Sequence, residues 1–326
     1  MPDGEMRVAV LGSGMMGKRH LEALAGLPRV VMHDITILTR QMEPYATFTD
    51  RTAAYQAMLR DPSVDAVDIC LPTHLHPWAI KQAFEAGKHI LCEKPLALST
   101  GECRQILSEA RTSSSIFMVA HVLRFFPAYI HLRRAVRSLQ YGRLLSIDFW
   151  RESAVPDWSP WLTESAESGG AILDLLIHDF DQSIALLGLP CRISAMPIES
   201  AYTVRCQLEY DRNDAPAVHI RGGWFSDGRP FAMGFKAHFE GGVLNYRDDK
   251  LKFSSAGKGI AEETIALSGF DPYREQLRYF LACCATHSSP EESPPSESAH
   301  AVELSLAVRD LSNSQLGIPS AIHFTL

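Results

Sequence analysis

The sequence predicts an α/β protein in two domains, a doubly wound parallel sheet over residues 1–121 and, over 122–326, an α/β domain built on an open, mainly antiparallel sheet. Three observations carry that prediction. A glycine-rich stretch, GSGMMG at Gly12–Gly17, stands directly between an apolar β-branched run and a helical pattern. Strands and helices then alternate to about residue 121, and beyond it the apolar period falls to two.

The first strand is RVAVL, Arg7–Leu11, and the helix after the glycines runs through Leu21 and Leu24. In that setting Gly12 permits the tight turn, Gly14 lets the backbone approach a pyrophosphate, and Gly17 lets helix and strand pack closely while the helix N-terminus faces the phosphates. Ser13, Met15 and Met16 fill the same loop and count among the cofactor contacts. This is the dinucleotide fingerprint of a Rossmann domain. DITILT (34–39) follows as a strand, then a helix around Ala53–Leu59, the strand VDAVDICL (64–71), and a helix from Trp78 to Ala86. KHILCE (88–93), a helix over Ser99–Arg111 and SIFMVA (115–120) complete the run. Short apolar strands alternating with helices imply a parallel sheet covered on both faces.

An acid about twenty positions past the last glycine would accept hydrogen bonds from the ribose 2′-hydroxyl of NAD. Here Thr39 and Arg40 occupy that place. A hydroxyl followed by a guanidinium suits a 2′-phosphate, which favours NADP and leaves NAD possible.

In the second half, GGAILDLLIHDFD (169–181) reads as part of one helix over about 169–188. Asp174, His178 and Asp181 share a face, beside a core stripe of Leu173, Ile177, Phe180, Ile184 and Leu187. Titratable groups at the edge of a packed face need a partner or a task, because removing them from water costs several kcal/mol otherwise. Asp179, about 100° around the helix, is expected to face solvent or the domain junction. VRCQLEYD (204–211) and FAMGFKAHFE (231–240) alternate as half-buried strands; Gly241-Gly242 leads into VLNY, and Asp248-Asp249 into LKF, as hairpin turns. Six or seven strands are expected, covered on one face by the 169–188 helix and a C-terminal helix near 302–315, the other face serving a homodimer or homotetramer. THSSPEESPPSES (286–298) reads as an exposed loop.

Composition narrows the function. A net charge of −7 with scattered basic residues argues against nucleic-acid binding. No apolar run reaches membrane-spanning length, and the start MPDGEMRVAVLGSG lacks the charged and apolar regions of a signal peptide, so a cytoplasmic protein without membrane partners is expected. The seven cysteines contain no CxxC pair and read as reduced thiols. His74 and His76 have no third ligand spaced to join them, so no metal is assigned; His76 with Pro77 suits a helix start beside the cofactor.

GSGMMG, LPTHLHPWAI, EKPLAL and GGAILDLLIHDFD, in this order and spacing, resemble the glucose-fructose oxidoreductase, inositol dehydrogenase and rhizopine catabolism family, Gfo/Idh/MocA. The resemblance covers nearly the whole chain. It implies hydride transfer between a nicotinamide and a secondary alcohol or ketone of a sugar, cyclitol or related polyol. It also implies that Lys94 matches the catalytic lysine, Asp174 the helix aspartate and His178 the proton-transferring histidine, all three reaching substrate. Arg124 in HVLRFFPAY matches an arginine lining the substrate pocket, and Leu71, Pro72, Thr73, His76, Glu93 and Lys94 fall on the cofactor side. Two positions depart from the family pattern: Thr39-Arg40 replaces the ribose-binding acid, and Thr73 stands where asparagine is frequent. An NAD-dependent glycosidase of the same architecture and a non-catalytic dinucleotide-sensing regulator are the alternatives. Trp158 and Trp161 suit either a sugar pocket or a core.

Arg40→Ala is expected to weaken NADPH binding much more than NADH binding in calorimetric titrations. Equal losses would remove the 2′-phosphate assignment.

Overall fold

A computed structural model describes residues 6–28, 30–33, 48–200, 202–257, 262–314, 320–322 and 324. The chain divides into two units: Met1–Phe125 with Phe270–Ala299, and Phe126–Gly269 with His300–Leu326.

In the first unit the order is β1 (Met6–Leu11), α1 (Met15–Ala25), β2 (Val30–His33), α2 (Phe48–Leu59), β3 (Ala66–Ile69), a 3-10 turn (Thr73–Leu75), α3 (His76–Glu85), β4 (His89–Glu93), α4 (Thr100–Thr112) and β5 (Phe117–Ala120). The five described strands are parallel in the order β2-β1-β3-β4-β5. The chain's direction of travel across the sheet reverses between β1 and β3, which places a ligand crevice at the carboxyl ends of those strands. Val8, Ala9 and Val10 of β1 and Ile90, Leu91 and Cys92 of β4 are fully buried, as strands covered on both faces require. Ser99 caps α4 by accepting from Glu102 N–H at 3.2 Å, while the Glu102 carboxylate accepts from Leu98 N–H at 3.3 Å.

The described second strand is Val30–His33, aligned with Met6–Ala9 of β1; DITILT lies within residues 34–47, which with Thr39 and Arg40 are outside the described residues. One expectation changes: the segment Phe270–Ala299 returns to this unit, where a boundary at 121 leaves it in the second half. Its helix α10 (Pro272–Thr286) buries Leu277, Phe280, Leu281 and Cys284 in one cluster with Val8, Leu24 and Met118. An amphipathic stripe shows that a helix must pack, not which sheet will receive it.

The second unit runs α5 (Pro127–Ser138), β6 (Leu144–Ala154), α6 (Pro160–Thr163), α7 (Ser165–Ser168), α8 (Gly170–Asp174), α9 (Ile177–Leu187), β7 (Arg192–Pro197), β8 (Thr203–Glu209), β9 (Ala217–Phe225), β10 (Ala232–Phe239), β11 (Gly242–Arg247), β12 (Lys250–Ser255) and β13 (Glu262–Ile265). α11 (Pro295–Ser314) begins in the first unit and ends in this one, followed by β14 (Ser320–Ala321). Among the described residues, nine strands form one sheet in the order β13-β12-β11-β10-β6-β9-β8-β7-β14, antiparallel except for β6 beside β9. The additional strands are the edges β13, EETI, and β14, SA, too short or too polar to alternate. Along β6, Ile147, Phe149 and Arg151 are buried, and α9 packs on β6 and β9. The opposite face carries cross-strand pairs, Asp148 with His219 at 3.2 Å and Glu152 with Arg221 at 2.8 Å.

The 286–298 segment is an exposed loop only in its first part: residues 286–289, Glu291 and Glu292 are exposed, whereas Ser293 and Ser298 are buried, Ser293 donates to the Val119 carbonyl at 2.8 Å, and α11 starts at Pro295. Proline is favoured in a first helical turn, so the same composition that suggests a loop can open a helix. The Asp248-Asp249 turn does form: both residues have positive φ, 49° and 57°, joining Arg247 to Lys250 in the two-residue hairpin such angles allow.

Asp249→Ala forfeits the Tyr246 hydroxyl bond (2.9 Å) and puts a Cβ without polar compensation in the left-handed region. It should lower stability by about 1–2 kcal/mol in urea titrations, and Asp249→Gly by much less. Equal losses would contradict this.

Candidate active site

The glycine loop is built to leave space. Gly12 has φ +128°, and a Cβ there would stand 2.2 Å from the Cys70 carbonyl oxygen; a Cβ at Gly17 would stand 2.0 Å from the Gly12 carbonyl oxygen. Strand end and helix start are thus in backbone contact, which only glycine allows. A Cβ at Gly14 meets nothing within 4 Å, and Gly14 caps α1 without any side-chain hydrogen bond. Open space before an uncapped helix N-terminus fits a pyrophosphate held by the N–H groups of Ser13–Gly17. Met16 packs on the core and Met15 is exposed. Pro72 precedes the 3-10 turn, in which Thr73 is buried.

Beneath this loop lies a buried charged chain absent from the sequence reading. His20 of α1 stands with Nδ1 2.8 Å from Asp68 Oδ2 and Nε2 3.1 Å from Glu93 Oε1. Glu93 Oε2 accepts from the Lys94 N–H at 3.1 Å. Cys70 Sγ lies 3.5 Å from His20 Nδ1 and donates to Asp68 Oδ1 at 3.6 Å. A carboxylate on each side favours the imidazolium form. Burial works against that charge, but the Asp68 carboxylate and its neighbours outweigh it and hold the His20 pKa well above the usual value. Burial likewise opposes ionisation of Glu93, yet His20 and Lys94 keep its carboxyl below the usual range. Burial and Asp68 push the Cys70 thiol up to about 12, so it stays protonated. The His20, Asp68 and Cys70 donors are near enough to hold a metal, but hydrogen-bonding distances already close them on one another. A signal for this chain was present: Asp68 interrupts an apolar buried strand and so required a partner.

His76 is also buried, Nδ1 2.8 Å from the Pro95 carbonyl and Nε2 2.9 Å from that of Leu71. Burial holds its pKa below the usual value, so the neutral ring donates to one carbonyl at a time while bridging the segments after β3 and β4. Lys94 is half-buried and precedes a cis bond to Pro95. The Arg124 guanidinium, expected to line the substrate pocket, is buried, 2.7 Å from Glu297 Oε2 and 3.0 Å from the Glu292 carbonyl, which anchors the returning segment.

In the second unit the expected single helix over 169–188 is divided into α8 and α9. The Leu176 N–H reaches back to the Ala171 carbonyl at 3.1 Å, a widened turn, and the Asp179 N–H only to Leu176 at 2.9 Å, a tightened one. Asp174 ends α8 and His178 lies in the first turn of α9, both partly buried. Asp179 faces neither solvent nor junction: it is fully buried in a two-point pair with Arg151, at 3.0 and 3.1 Å. Burial raises the Asp179 carboxyl above its usual pKa against the pull of Arg151. Asp181 is fully buried too, with the Gln182 amide 3.4 Å away. Trp161 and Leu175 pack on a cluster of Leu162, Ala171 and Trp224, whereas Trp158 is exposed.

Comparison with known proteins places the chain in a family and a fold. A model of an oxidoreductase family with an NAD-binding Rossmann fold matches residues 6–121, and the GFO/IDH/MocA C-terminal domain model matches residues 129–227. An uncharacterized oxidoreductase of Bacillus subtilis is 30% identical over 185 residues, covering 55% of this chain and 53% of its own length. A levoglucosan dehydrogenase of Pseudarthrobacter phenanthrenivorans is 30% identical over 203 residues, 56% of this chain and 51% of its own. A myo-inositol 2-dehydrogenase of Thermotoga maritima is 28% identical over 187 residues, 56% and 55%. The chain thus spans about half the length of the curated relatives it matches. Among solved structures, an aldose-aldose oxidoreductase from Caulobacter crescentus superposes with a TM-score of 0.83 at 17% identity, covering 98% of this chain and 100% of that one. Levoglucosan dehydrogenase in complex with NADH and levoglucosan gives 0.81 at 20% identity, covering 97% and 99%. At these identities the superpositions establish the fold.

The His20 chain has a pH signature. Its raised pKa stabilises the fold fully below the ordinary histidine value of 6.5 and loses that contribution only as pH climbs through the raised value. The depressed Glu93 pKa contributes above the ordinary 4.5 and is lost as pH falls through the depressed value. His20→Leu takes from Asp68 and Glu93 the imidazolium they share. It should cost about 3–5 kcal/mol near pH ~6, where both contributions are fully present, and less as pH climbs through the raised His20 value. A pH-independent loss in urea titrations would contradict the charged assignment.

Proposed function

The chain belongs to the Gfo/Idh/MocA family of oxidoreductases, whose amino-terminal domain is an NAD-binding Rossmann fold, and from that premise we propose that it transfers a hydride between a nicotinamide cofactor and a secondary alcohol or ketone of a sugar, cyclitol or related polyol. The observation that carries this reading is the open glycine cradle in the same unit as a Glu93-Lys94 segment that a buried charged chain holds in place. Backbone groups of Ser13–Gly17, the Leu71-Pro72-Thr73 turn and the Glu93-Lys94 segment would hold the dinucleotide. When bound, the nicotinamide supplies the hydride chemistry.

The remaining work falls to side chains. Oxidising an alcohol requires loss of its hydroxyl proton as the hydride leaves, and His178 takes that proton. Asp174, at the end of the preceding helix, holds the imidazole in one tautomer and stabilises the imidazolium that forms. Lys94 supplies positive charge to the developing alkoxide, an effect that grows where water is excluded. Arg124 is committed to Glu297 and is assigned to the fold. Thr39-Arg40 favour NADP over NAD. The names of the relatives make myo-inositol and levoglucosan the first polyols to screen. The sheet face bearing the Asp148–His219 and Glu152–Arg221 pairs is assigned to a homodimer or homotetramer.

His178→Ala should lower turnover by about two orders of magnitude or more while cofactor affinity stays near wild type. Near-normal turnover would remove His178 from the mechanism.

A further inference from the structure

The turn that carries His178 follows an irregular junction with the helix before it. At the α8–α9 junction the regular hydrogen-bond ladder gives way, with Leu176 bonded back to Ala171 and Asp179 to Leu176. Asp174 lies on one side of this junction and His178 on the other. Their relative position therefore depends also on what fixes the first turn of α9, because an irregular ladder defines it less closely than a continuous one.

A buried two-point contact ties that turn to the sheet. Asp179, the residue after His178, receives Arg151 Nε at 3.0 Å and Nη2 at 3.1 Å, with the two side chains 3% and 0% exposed. Arg151 belongs to β6, an interior strand paired on both sides, and stands opposite Met233 of β10 and Gly222 of β9. The backbone there has no room to shift, since a Cβ on Gly222 would lie 1.9 Å from the Arg151 carbonyl oxygen. The remaining guanidinium nitrogen donates to Met233 Sδ at 3.0 Å, and the Tyr129 hydroxyl lies against the group. Asp179 is the acid these contacts offer Arg151.

We propose that Arg151, acting through Asp179, is a positioning residue for His178: the two-point pair ties the first turn of α9 to the middle of the sheet and so sets where the imidazole stands relative to Asp174. This rests on His178 being the proton-transferring group. A pair serving stability alone would be replaceable, because buried ion pairs often yield to well-packed apolar residues without loss. A positioning pair would not, because its two parallel bonds fix distance and direction together.

The test compares wild type, Arg151→Lys, and the double variant Arg151→Met with Asp179→Leu. Thermal unfolding, cofactor titration, kcat and KM, and NMR of the ¹³C-labelled histidine rings are measured, with His178 identified by its missing resonance in His178→Gln. The double variant should melt close to wild type and bind cofactor normally. Its His178 resonance should be displaced, and its kcat should fall by up to about a hundredfold with little change in KM. A wild-type His178 resonance or a wild-type kcat in the folded double variant would overturn the proposal. If the double variant does not fold, Arg151→Lys, which keeps the charge and loses the fork, decides: a displaced His178 resonance supports the proposal and an unmoved one overturns it. If wild type turns over no polyol, the functional reading fails, and the resonance comparison still decides the positioning role.

Discussion

The first unit depends on one enclosed charge. An imidazolium between two carboxylates, His20 between Asp68 and Glu93, joins α1, β3 and β4 beneath the glycine loop. Isolated, each of these groups would be costly to bury; together they compensate one another, and removing the shared imidazolium takes the buried cation from both carboxylates at once. The three elements they join are those from which the proposed cofactor contacts leave: the loop before α1, the turn after β3 and Lys94 after β4. His76 repeats the device with a neutral ring, bridging Leu71 and Pro95. Cofactor-binding backbone here is thus shaped from below by buried polar groups as well as by glycine.

The second unit uses the same physics with different partners. An interior strand supplies Arg151, a helix supplies Asp179, and the pair stands where the helix loses its regular hydrogen bonds. In both units a buried ion pair adjoins a residue assigned to chemistry, Lys94 in one and His178 in the other. Buried charge pairs contribute uncertain stability but strong geometric definition, which suits groups that must be placed rather than merely kept.

What was legible in the sequence was local. Gly17 packs its helix on Gly12 five residues back, and the Asp248-Asp249 turn closes on its own neighbours; their readings needed no distant partner. What was not legible depended on contacts across many positions. The return of Phe270–Ala299 to the first sheet, the burial of Ser293 against Val119 and the pairing of Asp179 with Arg151 are of this kind. One such pairing had left a trace. The alternation Ile147, Phe149, Arg151 puts an arginine on the apolar phase of its strand, and a buried cation requires a buried anion. The 169–188 helix was misread as continuous because Leu175 and Leu176 favour helix on any scale, while the break arises from how its two parts pack.

The measurement that bears most directly on the central claim is the fate of the carbinol hydrogen. Polyols and cyclitols deuterated at the secondary alcohol carbon would be incubated with the protein and NADP⁺ or NAD⁺, and the reduced nicotinamide analysed for label. Deuterium on the nicotinamide ring, in step with ketone formation, is the result expected of a hydride-transferring oxidoreductase. Cofactor that binds but never acquires label across the panel, or a glycosidic bond cleaved with no net cofactor reduction, would contradict it.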